Sequence, residues 1–156
     1  MSADQDIEYF LPDTQATEDL GRTLAITRPV RAVVHLQGDL GAGKSTLARA
    51  MLRALGVTGA IRSPTYTLVE RYPLAGGGEA LHLDLYRIGE AGELEFLGLD
   101  DADAALWLIE WPERDGSHLP APDLLIALGL QDRGRHVKLK PCSATGEAWC
   151  KAIIQE

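Results

Sequence analysis

Gly38-Asp39-Leu40-Gly41-Ala42-Gly43-Lys44-Ser45 is the stretch that decides the fold. It fits G-x-x-x-x-G-K-[ST] at every fixed position, the spacing of a loop that cradles phosphate groups. Gly38, Gly41 and Gly43 allow positive φ, so successive backbone N–H groups can turn inward as an anion nest. A helix starting near Lys44 would add its positive N-terminal end. Asp39, Leu40, Gly41 and Ala42 fill the four variable positions. Lys44 is suited to the β- and γ-phosphates, and the Ser45 hydroxyl to a Mg²⁺ that bridges them. Thr46 either lines the phosphate side or packs inward. Gly41-Ala42-Gly43 followed by Thr46 misses the last glycine of G-x-G-x-x-G, which argues against a dinucleotide fold.

The context of the loop agrees with this. Residues 30–37, with Val33, Val34 and Leu36, read as a buried strand ahead of it. Residues 44–55 read as an amphipathic helix with Leu47, Met51, Leu52 and Leu55 on one face and Gly56 as its C-cap. Further out, Thr17 is expected to cap a helix over 18–27 that Pro29 ends, and residues 1–13 are loose or strand-like. Strands are expected over 67–72 and 80–86, joined through Gly76-Gly77-Gly78, and over 105–111, stopped by Pro112. A short helix is expected over 90–97, a second hairpin over 122–130 and 136–140, and a last helix over 145–154. A strand, a phosphate-type loop and a helix followed by more strands imply one three-layer α/β domain with a mixed sheet, spanning residues 1–156.

A phosphate-loop enzyme needs a carboxylate at the end of a neighbouring strand. Asp84 and Glu110 both qualify, because a charge ending a buried strand is costly unless a cation or hydrogen bonds meet it. The residues alone do not order them between metal and water. Ser63-Pro64-Thr65-Tyr66-Thr67 falls where switch loops sense a γ-phosphate. The sequence holds no asparagine, so the Asn-Lys-x-Asp guanine reader is absent and ATP is the expected nucleotide.

Charge bounds the partners. Fifteen Lys and Arg against 23 Asp and Glu give a net charge of -8, which disfavours autonomous binding to a phosphate backbone. Ten of the carboxylates fall within residues 84–115, a solvated face or a docking surface for a basic protein. Two cysteines without a CxxC spacing suit the cytoplasm. The acidic N-terminus does not read as a signal peptide, and apolar runs such as 104–109 are far short of the roughly 20 residues that span a membrane.

These motifs together resemble the TsaE family (older name YjeE), the small ATPases of bacterial threonylcarbamoyladenosine synthesis on tRNA. The resemblance rests on Gly38 to Thr46, on Ser63-Pro64-Thr65-Tyr66-Thr67-Leu68-Val69-Glu70, on His82-Leu83-Asp84-Leu85-Tyr86-Arg87, on Glu93-Leu94-Glu95-Phe96-Leu97-Gly98 and on Glu110-Trp111-Pro112. It covers residues from about 10 to 130. It implies a P-loop NTPase-type fold, a mainly parallel central sheet with flanking antiparallel strands, ATP and Mg²⁺ as cofactors, and weak intrinsic ATPase activity. Lys44 would be the phosphate lysine, Ser45 the metal hydroxyl and Glu110 a metal-side carboxylate. Asp84 would be a catalytic or structural acid, Thr65 and Tyr66 part of the switch, and Trp111 a neighbour of the site. The family usually carries threonine where this chain has Ser45. By the same resemblance the protein does not modify tRNA itself. It acts on the TsaD–TsaB pair, meeting tRNA only indirectly, and ATP hydrolysis resets that complex. Two other classes compete: a small-molecule kinase, which would want an arginine-bearing lid, and a nucleotide-gated binding module without significant turnover.

Overall fold

The computed structural model describes residues 6–87, 104–114 and 119–156. Its order is β1 (Ile7–Leu11), α1 (Thr14–Thr27), β2 (Ala32–Gln37), α2 (Lys44–Ala54), β3 (Val69–Pro73), β4 (Glu79–Asp84), β5 (Ala104–Glu110), β6 (Leu124–Gln131), β7 (Gly134–Pro141) and α3 (Ala144–Ile154). The strands form one sheet in the order β1-β7-β6-β2-β5-β4-β3. At its centre β2 runs parallel to both β5 and β6, and β4 runs parallel to β5. Antiparallel pairs flank that centre: β3 on β4, β7 on β6, and β1 on β7. The mixed α/β fold with a parallel centre and antiparallel edges is the one expected.

Strand alternation sorts the core onto two faces. Val34, Leu36, Leu106 and Leu108 pack with Leu24, Leu47, Met51 and Trp149 from the helices. Leu81, Leu83 and Ile109 face the other way. The near-continuous apolar runs of β4 and β5 suit strands buried on both faces. Among the described residues no helix is long and apolar enough to cross a membrane.

Several boundaries differ from the sequence reading, each for a local reason. Asp13, not Thr17, caps α1: its carboxylate accepts the Ala16 N–H at 2.9 Å, which starts the helix at Thr14. Thr17 instead lies buried inside the helix. Strand β2 begins at Ala32, because Pro29 offers no amide hydrogen and Val30 stands 84% exposed. After α2, Gly56 takes a φ of +94°, with Gly56 N–H on Arg53 O and Val57 N–H on Leu52 O. That is the glycine-terminated end the spacing predicts. The helix expected over 90–97 lies outside the described residues.

Candidate active site

The chemistry gathers at the C-terminal ends of β2, β4 and β5, where open parallel sheets place their ligands. The loop leaves β2 with φ values of +150° at Gly38, +81° at Gly41 and +108° at Gly43. Each is a left-handed conformation that a side chain would strain. At Gly38 space is also lacking, since a Cβ would meet the Leu128 carbonyl oxygen at 2.4 Å. Gly43 starts α2 with no side-chain cap, so the first N–H groups of the helix are left for a ligand to meet.

Lys44 is nearly buried. Its ammonium donates to the carbonyls of Gly38 (2.5 Å) and Asp39 (3.0 Å), and it lies 4.2 Å from the centre of the Trp111 ring. Burial lowers the pKa of this ammonium; the nearby carboxylates of Glu110 and Asp84 act the other way. One residue on, the Ser45 hydroxyl sits 3.0 Å from both oxygens of Glu110. Glu110 is 2% exposed, and a carboxylate so placed needs partners. Its second partner is His82, whose Nε2 lies 2.6 Å from Oε2.

Asp84 stands opposite Glu110 in the parallel register of β4 and β5. Its Oδ1 accepts the Tyr86 N–H at 3.0 Å. Burial raises the Asp84 pKa above the usual carboxylate value, and the charge of Glu110 adds to that rise. Two carboxylates side by side in a poorly hydrated place make a site that favours a cation.

A cavity of about 280 Å³ opens between the loop and these strand ends. Leu40, Gly41, Gly43, Lys44, Ser45, Thr46, Thr65, Asp84, Glu110 and Trp111 all line it. Gly38 and Asp39 contribute the carbonyls that hold Lys44, while Ala42 is buried in the core. Tyr66 points away: it is 82% exposed, with the Arg87 guanidinium 4.8 Å over its ring. Trp111 adopts φ +59°, rare for a bulky residue, and its ring meets Tyr86 at 4.8 Å.

Two residues at the site have no role in the sequence reading. His82 appears there only as part of a motif block; its signal is a lone imidazole among Ala80, Leu81 and Leu83, all fully buried. Arg135, from the β6–β7 hairpin, lines the cavity and donates to the Gly41 carbonyl at 3.1 Å. No local pattern marks it, because it lies 94 positions from its partner.

A glycine loop between a parallel strand and a helix, with lysine, hydroxyl and strand-end carboxylate around one cavity, defines a mixed α/β protein with a single site at its strand ends among the described residues. A family profile described as "Threonylcarbamoyl adenosine biosynthesis protein TsaE" matches residues 11–137, and the chain belongs to that family. A Haemophilus influenzae protein named "tRNA threonylcarbamoyladenosine biosynthesis protein TsaE" is 46% identical over 142 residues, covering 86% of this chain and 89% of that protein. A Nostoc protein of the same name is 36% identical over 152 residues, 93% of this chain and 92% of its own length. The crystal structure of YdiB from Bacillus subtilis superposes with a TM-score of 0.79 over 96% of this chain and 95% of that one, at 23% identity, and so shares the fold.

Proposed function

We propose that this chain is an ATP-binding and ATP-hydrolysing accessory subunit of tRNA threonylcarbamoylation at adenosine 37, acting on the TsaD–TsaB pair. The observation that carries the reading is the convergence of Lys44, Ser45, Asp84 and Glu110 on one cavity at the mouth of the glycine loop. The pathway comes from the names of the relatives, and the adenine base from the lack of any asparagine for a guanine reader.

The residues divide the work. Loop amides and the α2 N-terminus hold the phosphates, and Lys44 exchanges the Gly38 and Asp39 carbonyls for the β- and γ-phosphate oxygens. Ser45 and Glu110 would hold Mg²⁺, which commonly takes one or two protein oxygens and completes its shell with phosphate oxygens and waters. When bound, the ion would offset charge on the transferred phosphoryl group. Asp84, with Oδ1 anchored by Tyr86, is left to orient a water with Oδ2. Thr65, which lines the cavity, would meet the γ-phosphate, and Tyr66, with Arg87 over its ring, would form the outer part of the switch. An acidic chain of net charge -8 leaves the tRNA contacts to its partners in the cytoplasm.

The test is association. In a pull-down, wild-type chain should bind TsaD–TsaB more strongly with ATP and Mg²⁺ than without, and a metabolite should not accept γ-phosphate from it. Equal association with and without nucleotide contradicts the reading, and a labelled small-molecule product replaces it with a kinase.

A further inference from the structure

We propose that His82 is a positioning residue that holds the Glu110 carboxylate at the angle the metal side of the site requires. The inference rests on the proposed Mg²⁺–nucleotide reading. It starts from register: β4 and β5 are parallel, Asp84 is opposite Glu110 and His82 is opposite Leu108. Alternation places His82, Asp84 and Glu110 on one face of the sheet, with His82 on the diagonal to Glu110.

His82 is 1% exposed and its Nε2 lies 2.6 Å from Glu110 Oε2. The imidazole is therefore wedged under the carboxylate, while Ser45 reaches the same carboxylate from the cavity side at 3.0 Å. One carboxylate thus takes two donors from two elements, and its two oxygens lose the freedom to rotate. A carboxylate beside a metal gains from such a partner, because an outer donor fixes the orientation of an inner ligand.

A plain core role is a poor account of this histidine. Its Nδ1 is buried and finds no hydrogen-bond partner among the described residues. An unsatisfied buried nitrogen opposes folding, so an aliphatic residue would serve β4 better if packing were the only demand. With Glu110 accepting, Nε2 carries the hydrogen of this bond. The ring is kept, on this account, for the one bond it makes to Glu110.

The test exploits side-chain length. In His82→Gln the amide nitrogen sits as many bonds from Cβ as Nε2 and can donate to Glu110. In His82→Asn it sits where Nδ1 was and falls short. The readout is the Mg²⁺ concentration that half-saturates the metal-dependent gain in ATP binding, followed by calorimetry, with the melting temperature recorded beside it. His82→Asn and His82→Leu should need about 10- to 100-fold more Mg²⁺. Their metal-free ATP affinity should match wild type, and His82→Gln should recover most of the loss. Equal Mg²⁺ dependence in Asn, Gln and wild-type chains would overturn the assignment, as would a Gln variant no better than Asn. A wild-type chain indifferent to Mg²⁺ would remove the proposed function and this role with it. A responsive wild type beside an equally responsive His82→Asn would remove this role alone.

Discussion

The two walls of the cavity handle left-handed backbone in opposite ways. On the loop wall every residue of positive φ is glycine: Gly38, Gly41 and Gly43. On the opposite side Trp111, which lines the cavity, and Leu68, which lies behind it against Asp84, take φ values of +59° and +68° with full side chains. A non-glycine residue held there costs on the order of 1–3 kcal/mol and persists only where its surroundings impose it. Here the Leu68 N–H is tied to Pro64 O at 2.8 Å and the Leu68 carbonyl to the Asp84 N–H at 3.0 Å. The glycine loop is thus relaxed, while the strain sits beside Pro64 and the two carboxylates.

The largest expected effect tests the relaxed wall. Gly38→Ala should cost about 3 kcal/mol or more, because the new Cβ collides with the Leu128 carbonyl as well as straining φ. Gly41→Ala, where a Cβ meets nothing within 4 Å, should cost only the conformational part, about 1–2 kcal/mol. Urea melts of the two variants check the ranking, and equal losses would break the distinction.

A smaller effect tests the charge on the far wall. Burial raises the folded-state pKa of Asp84, so the folded chain holds that proton more tightly than the unfolded chain does. The associated stability is present below the unfolded carboxylate pKa and is lost as pH rises through the folded value. At neutral pH the ionised Asp84 is therefore a liability, and Asp84→Asn, which keeps the acceptor for Tyr86, should melt at a higher temperature than wild type. The gap should narrow as pH falls through the carboxylate range. A variant that melts lower at pH 7 would contradict the assignment.

The smallest effect concerns strain itself. Leu68→Gly loses a half-buried side chain yet relieves a left-handed leucine, so its stability should stay within about 1 kcal/mol of wild type. A loss of several kcal/mol in denaturant melts would mean that packing, not strain, governs this position.

What the sequence makes legible follows from distance along the chain. The loop, the Gly56 helix end and the hairpin through Gly77 are local conformations written in neighbouring residues. The hairpin closes with Gly77 N–H on Leu74 O and Leu74 N–H on Gly78 O. The α1 cap is local too, but Asp13 and Thr17 both offer side-chain oxygens, and only geometry shows which one reaches an amide. The contact between His82 and Glu110 depends on the register of β4 on β5, and that of Arg135 with Gly41 on how the last hairpin folds back over the loop. Asp84 and Glu110 could be singled out as strand-end charges, but their adjacency needed the sheet.

The most direct measurement is calorimetry of Mg-ATP with the folded wild-type chain and with Lys44→Ala, each with and without TsaD–TsaB. The account predicts a saturable heat for wild type and about 10- to 100-fold weaker binding for the variant, whose charge-assisted contact is gone. No heat from wild type at millimolar nucleotide under either condition, or equal affinity in the two chains, would contradict it.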